Sequence, residues 1–424
     1  MVMLIIASGQ AFSQQTAENG NVLRLTVEEA KDYAFQHNKN VWNAGLSVSE
    51  AQKRTWEVIS AVLPQVNASV DYSNMMGFSM SLLGMEIALP PTSNFNVQVT
   101  QLLFSASYWI GIRMSRLGEE MTETVRLQAL LDTRHQTQSA YYAVLVTLEN
   151  KAILEQDLVN LQEIARTTQD LVRIGVAEQT DADQIRVQVL MTTNAIKSIE
   201  RNIELAYNLL RFQLGVDGDT QIVLTQTIDD LMANKNTNDI LTMDFDMYGN
   251  YNVQLLEGQI NLANMQVSLE KAAALPNVVA FYNHTYKIAR STFDMSPNNV
   301  IGLQANIPIF ASGQRHARTQ QALINREIAQ NNRDLVTESL LLQEKQLRFN
   351  LNSVLETLEL QKEMKDVAQR VFESIIRKYQ HGTASTLDVT TANVSLLNAQ
   401  RNYINAMMDV FSAQSELEKL FNTL

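Results

Sequence analysis

Cysteine is absent from the chain. Its absence excludes disulfides, thiolate metal sites, a cysteine nucleophile and a lipid anchor on an N-terminal cysteine, so any attachment to a membrane must come from the fold itself. Positive charge is scarce: 33 Lys and Arg stand against 45 Asp and Glu, a formal charge of -12, and no basic stripe is available to a nucleic acid. Beyond the N-terminus there is no run of the roughly 18 apolar residues that a membrane-spanning helix needs. If the chain crosses a bilayer, strands closed into a barrel are the remaining solution, because backbone groups in lipid must be paired.

Signatures of catalysis are also missing. The histidines, His37, His135, His284, His316 and His381, form no His-x-x-x-His pair and no His-Glu-x-x-His, and there is no phosphate loop and no Gly-x-Ser-x-Gly. The carboxylate pair Glu28-Glu29 sits at a helix start, where the dipole favours it. The expectation is therefore no enzyme, no cofactor and no metal site.

Proline is rationed in an informative way. Pro64, Pro90, Pro91, Pro276, Pro297 and Pro308 fall in two short regions, leaving 92–275 and 309–424 free of it, and glycine is missing from 119–174 and 314–381. Proline costs about 3 kcal/mol inside a helix, so these stretches are permissive for helices of about 85 to 100 Å at 1.5 Å per residue. Leu154, Leu158, Leu161, Ala165 and Val172 form one narrow seam, and Val189, Ile196, Ile199, Ile203, Ala206 and Leu210 form another. That spacing predicts coiled-coil-like packing, which an ordinary bundle would also show.

The proline-bearing regions change period from helical to two. Val66, Ala68, Val70 and Tyr72 alternate with polar residues, as do Phe95, Val97 and Val99; later Val278, Ala280, Tyr282, Tyr286 and Ile288 do so, then Leu303, Ala305, Ile307 and Ile309. Strands are expected over about 64–74, 94–104, 277–288 and 299–310. His284 breaks one apolar face, as a pore rim or a register error would. Each run matches a tilted membrane strand, with lipid against the apolar face and a wet lumen against the other. Four strands cannot close a barrel, so several chains must contribute. Residues 1–13 read as an export signal, an apolar stretch followed by Ala11 and Ser13, although the basic n-region is missing.

The chain is also a duplication. Leu63-Pro-Gln-Val recurs as Leu275-Pro-Asn-Val, Leu103-Phe-Ser-Ala as Ile309-Phe-Ala-Ser, and Gly175 with Asp181 six residues on as Gly382 with Asp388, at offsets of 212, 206 and 207. The repeats span 22–218 and 244–424, joined by an inter-repeat segment over 219–243. Each reads helix, strand, loop, strand, long helix, tight turn, helix.

With these repeats, from Leu25-Thr-Val-Glu-Glu-Ala to Leu420-Phe-Asn, the chain resembles the TolC family of outer-membrane efflux proteins. The resemblance implies a mainly α fold with membrane β-strands: a homotrimer in which long helices form an α-barrel in the periplasm, and four strands per chain share a 12-stranded β-barrel in outer-membrane lipid. It also implies a passive duct of a tripartite efflux or type I secretion system, docked by a periplasmic adaptor (a membrane fusion protein) and an inner-membrane transporter. Gly175, Thr180, Asp181, Tyr379, Gly382 and Asp388 would then mark the periplasmic tip, next to adaptor docking and the aperture, where repeated carboxylates would favour cations.

Gly followed by Thr180 or Asp181 is equally what a plain helix-turn-helix needs. Ala384 and Thr391 stand where some relatives carry an Arg and a second carboxylate, which puts a salt-bridged gate in doubt, and Tyr379 fits either a hydrogen bond to a neighbouring helix or simple packing. The loop over 74–94, with Met75, Met76, Met80, Met85, Leu82 and Leu83, folds over the mouth, meets lipid or a lipoprotein, or forms a plug. Thioethers can bind Cu(I), but no ordered Met-x-Met spacing supports it here. The reading from a different class is a soluble coiled-coil scaffold or surface adhesin.

Overall fold

The computed structural model describes residues 22–423 apart from 83–84, 89–90, 235–236 and 290–295. The expected export signal and Leu83 lie outside the described residues. In chain order the elements are β1 (Val22–Leu25), α1 (Val27–His37), α2 (Lys39–Ser60), β2 (Gln65–Ser73), β3 (Ser79–Leu82), β4 (Met85–Ala88), β5 (Thr92–Ser105), α3 (Ala106–Arg173), α4 (Gln179–Leu214), β6 (Gln221–Leu224), α5 (Ile228–Asn234), α6 (Thr237–Thr242), α7 (Tyr251–Ala272), β7 (Asn277–Ala289), β8 (Asn299–Asn306), α8 (Gln314–Gln380) and α9 (Thr386–Leu420). With 68 residues in α3 and 67 in α8, each is about 100 Å long at 1.5 Å per residue. The proline-free stretches had predicted helices of this length.

The chain divides into two units, one of residues 1–42, 130–245 and 343–424, the other of 43–129 and 246–342. In the second, β2, β5, β7 and β8 form one antiparallel sheet in that order. Period-two alternation sorts its faces. One face carries the rows Val70–Phe95–Tyr286, Ala68–Val97–His284–Asn299 and Val66–Val99–Tyr282–Ile301; the other carries Ser69–Asn96–Thr285 and Asn67–Gln98–Asn283–Val300. The polar face is internally bonded: Asn96 donates to Asp71 at 2.5 Å and accepts from the Thr285 hydroxyl at 2.8 Å.

His284 follows from no slip of register. It lies in register on the apolar face opposite Asn299, and its Nδ1 is 2.6 Å from the Asn299 Oδ1, which also accepts from the Tyr282 hydroxyl at 2.9 Å. The third strand pairing, β5 with β7, joins the two hairpins into one sheet. β8 ends at Asn306, short of Ile307 and Ile309. Pro308 has no N–H for a ladder, and the Arg315 guanidinium donates to the Pro308 and Ile309 carbonyls at 2.7 and 3.0 Å. The methionine-rich loop contains the β3–β4 hairpin, which sequence alternation did not reveal. Met75 and Met76 are exposed, and Met76 adopts φ 45° beside Gly77.

The other unit holds the main apolar core. Tyr141, Tyr142, Leu210, Leu214, Met407 and Phe411 are buried together, and the Tyr142 and Phe411 rings stack at 4.8 Å. β1 and β6 pair in parallel, and the Tyr141 hydroxyl donates to the Leu25 carbonyl at 3.1 Å. The inter-repeat segment therefore has structure: β6 completes that pair, and α6 is held at its C-terminus by Arg348, which donates to the Ile240 carbonyl at 3.4 Å and to the Leu241 carbonyl. Gly215 caps α4 at φ 71° with the main chain of α1 beside it. A Cβ there would stand 2.4 Å from the His37 carbonyl oxygen.

Gly215→Ala is expected to destabilise this unit by about 2 kcal/mol or more, combining a left-handed backbone with a clash against main chain. Gly218→Ala, with open space around its Cβ, should stay within about 0.5 kcal/mol of wild type. Urea unfolding followed by far-ultraviolet circular dichroism measures both.

Candidate functional site: the paired helix turns

The six residues singled out in the sequence lie at two turns built alike. At the first, α3 ends with Gly175 at φ 76°; the Gly175 N–H donates to the Val172 carbonyl at 3.0 Å and the Val176 N–H to the Leu171 carbonyl at 2.9 Å. At the second, α8 ends with Gly382 at φ 70°; its N–H donates to the Tyr379 carbonyl and the Thr383 N–H to the Lys378 carbonyl, both at 2.9 Å. This is the Schellman arrangement twice over, and the left-handed residue explains why glycine stands at both positions. Both glycines face open space, so the backbone, not crowding, selects them.

The following helices start alike too. Glu178 is the N-cap of α4 and Ser385 of α9. Asp181 and Asp388, each three residues further on, turn back onto these caps. The Asp388 carboxylate accepts from the Ser385 N–H at 2.9 Å and from its hydroxyl at 2.8 Å, while the Asp388 N–H donates to the Ser385 Oγ at 3.2 Å. Asp181 accepts from the Glu178 N–H at 3.1 Å, and the Thr180 hydroxyl donates to Glu178 at 3.2 Å. The expectation that Thr180 or Asp181 caps α4 is corrected to this extent: the N-cap is Glu178, and Asp181 supports it from the third helical position. Hydrogen bonds from Ser385, backbone first and then side chain, hold the Asp388 carboxyl below its ordinary pKa.

Tyr379 is a cross-helix contact as well as a packed side chain. It is buried in a cluster with Ile164, Ile185, Phe372, Val389 and Ala392. Its hydroxyl lies 2.6 Å from the Thr168 Oγ1 of α3 and 3.4 Å from the Thr386 Oγ1 of α9, while Thr168 also donates to the Ile164 carbonyl at 2.8 Å. Ala384 is half-buried against the same cluster. Thr391 lines a groove of about 820 Å³ along α8 and α9, with Met364, Val367, Val371, Leu387 and Asp388 also on its walls.

The sequence seam of α3 shifts accordingly. Leu154, Asp157, Leu161, Ile164 and Thr168 are the buried positions, at 3-4-3-4 spacing, whereas Leu158 and Ala165 are half-buried beside them. Counting apolar residues alone steps over Asp157 and Thr168. Regular 3-4 spacing through polar residues was the signal that could have found them.

Paired helical turns, very long helices and a two-faced, unclosed sheet define a subunit of a helical channel. The sequence profile of the outer membrane efflux proteins matches residues 31–216 and 249–423, and the chain belongs to that family. The family is one of channels rather than enzymes, and its place is the outer membrane. The fold is similar to CusC, whose crystal structures concern conformational changes accompanying folding and transmembrane channel formation (TM-score 0.77, 18% identity, covering 97% of this chain and 96% of that one). It is similar also to VceC from Vibrio cholerae (TM-score 0.74, 16% identity, 93% and 95%) and to the open state of MtrE from Neisseria gonorrhoeae (TM-score 0.73, 15% identity, 93% and 88%). No curated protein sequence matches.

Tyr379→Phe removes the buried hydroxyl's contacts with Thr168 and, at longer range, Thr386, and leaves Thr168 its bond to Ile164, so a loss of about 1 to 2 kcal/mol is expected. Hydrogen exchange at the ends of α3 and α8 should quicken correspondingly. Because the folded pKa of Asp388 is depressed, its support of the α9 cap is present above the ordinary carboxylate range and lost as pH falls through the lowered value. Fraying of α9 at acid pH, absent in Asp388→Asn, checks the sign.

Proposed function

We propose that the chain is the exit duct of a tripartite efflux or type I secretion system, three copies closing one passive channel from the periplasm to the outside. The observation that carries this is incompleteness. Among the described residues β2 has β5 as its one sheet neighbour and β8 has β7, while the face bearing Val66, Val70, Tyr286, Ile301 (83% exposed) and Leu303 (72% exposed) is open. In water such a sheet is a liability; in lipid, with its edges joined to those of other copies, it is a wall.

β2 and β8 run in opposite directions, so β8 of one copy continues the alternation into β2 of the next. Bacterial outer-membrane barrels start at about eight strands, which requires more than one copy; the likeness to the family supports three.

The helices support the same assembly. α4 exposes Leu205, Leu209 and Phe212, and α8 exposes Ile324, Ile328, Leu335, Leu342 and Phe349, at heptad-like spacing on faces the chain itself leaves uncovered. In this reading neighbouring copies cover these stripes. Gly175, Thr180, Asp181, Tyr379, Gly382 and Asp388 form the periplasmic end, where a periplasmic adaptor grips the two rigid turns and an inner-membrane transporter supplies the energy. Asp181 and Asp388, repeated around the axis, give that end an acidic rim that favours cations. The export signal over 1–13 delivers the chain, and the repeats 22–218 and 244–424 are its structural halves.

Two measurements test the reading. Native mass should correspond to a trimer that stays in membranes through carbonate washing and leaves with detergent; release by carbonate would favour the soluble scaffold instead. Replacing Gly175 and Gly382 by bulky residues should abolish export of pump substrates while trimers persist, and undiminished export would remove the turns from docking.

A further inference from the structure

One carboxyl group in the helical unit is buried where a coiled seam calls for a hydrocarbon. Asp157, 7% exposed, lies between Leu154 and Leu161 on the covered face of α3. Its Oδ1 accepts from the Asn393 Nδ2 of α9 at 2.7 Å, and its Oδ2 accepts from the Thr192 hydroxyl of α4 at 3.2 Å. Both partners are themselves buried, at 5% and 7% exposure. A single side chain thus fastens α3 to its own hairpin partner and to the second helix of the other repeat. Asp157 is eleven residues before Thr168, about 16 Å along the helix from the Tyr379 contact.

The surroundings of Asp157 are uncharged. One turn away on its own helix stand Ile153, Leu154, Asn160 and Leu161; around Thr192 stand Gln188, Val189, Ala195 and Ile196; around Asn393 stand Val389, Thr390, Leu396 and Leu397. The flanking ionised groups are turned to solvent: Glu155 and Glu163 on α3, Arg186 and Lys197 on α4, Asp388 and Arg401 on α9, and Glu363, Asp366 and Arg370 on α8. Lys365 of α8 pairs with Asp366 at 3.7 Å and lies over the Tyr403 ring at 4.4 Å. Burial therefore pushes the Asp157 carboxyl up, and the bonds from Asn393 and Thr192 only partly offset it. The same two contacts serve the neutral acid: Asn393 still donates to the carbonyl oxygen, while the acid O–H donates to the Thr192 oxygen, whose own proton turns to a backbone carbonyl one turn back.

We propose that Asp157 is a proton-operated pin between the two helix pairs, holding them together as the neutral acid and loosening them when it ionises. The inference rests on the reading of the chain as a duct whose periplasmic end lies at these turns, and it adds an element that would set how tightly the helices leading to that end are held. The sign follows from linkage. A carboxyl whose pKa is higher in the packed state stabilises that state at low pH, and the stabilisation is lost as pH rises through the raised pKa. Between the ordinary and the raised pKa, the ratio of loosened to packed forms grows about tenfold per pH unit.

The test uses the purified full channel in planar lipid bilayers and, separately, its unfolding midpoint in detergent, each followed upward in pH from the ordinary carboxylate range, the direction in which a raised carboxyl titrates. Wild type should conduct less and melt higher at the acid end. Asp157→Asn, which keeps both hydrogen bonds with a neutral group, should hold the acid-end conductance and the higher midpoint throughout. Asn393→Ala removes a donor that favours the ionised form and should move the wild-type step to higher pH. A pH step that survives in Asp157→Asn, or that stays in place in Asn393→Ala, overturns the pin while leaving the duct intact. Wild type that never conducts, yet melts with the expected pH step abolished in Asp157→Asn, overturns the duct reading and the gating role, leaving the junction itself supported by the melting arm.

Discussion

A helix packed on one side of a globule needs a single apolar stripe, but a helix that forms part of a wall needs two, one for each neighbour. The long helices here carry two. On α4 the stripe of Ile185, Val189, Ile196 and Leu210 is covered or half-covered within the chain, while Leu205, Leu209 and Phe212 face outward; on α8 Leu351, Leu358 and Phe372 are buried while Leu342 and Phe349 are open. At about 25 cal/mol per Å² of apolar surface, leaving such rows in water is unfavourable, and the proposed association of copies would offset that. The sheet repeats the pattern in strand form, with the β2 edge, the β8 edge and one face left for others to fill. In the proposed trimer, folding and assembly would be coupled, because these exposed apolar rows would be buried only between copies.

Rigidity at the turns comes from local chemistry that is nearly the same in both repeats. A left-handed glycine closes one helix, and a carboxylate three residues past the N-cap opens the next. The arrangement commits Asp388 to its own helix start, so its negative charge is held by Ser385 and persists to lower pH than that of a free carboxylate. Asp157 responds in the opposite sense, because it gains its bonds by losing contact with water.

Much of this was legible in the sequence because the governing constraints are local. Two proline-free stretches, period-two runs beside the prolines and a repeated Gly-to-Asp spacing each follow from backbone rules that need no knowledge of the rest of the chain. What was missed depends on distant partners. β1 and β6 are four residues each and nearly two hundred residues apart, too short to show a period. Thr168 and Asp157 are polar, so a search for hydrocarbon seams passes over them although they occupy seam positions. His284 read as a pore rim or an error of register because its partner, Asn299 on the facing strand, is fifteen residues further along the chain. The identity of the caps was nearly readable; Glu178 in place of Thr180 shows that position, rather than the best capping residue nearby, decides which side chain takes the role.

The sheet also bears on how such a chain could have arisen. Each repeat contributes one strand out and one strand back, so the polypeptide leaves the sheet on the side from which it entered. A unit with this property can be copied in tandem without inverting the second copy, and its loops and helices keep their sidedness. A unit with an odd number of strands would deliver its duplicate upside down, with the helical turns on the wrong side of the membrane.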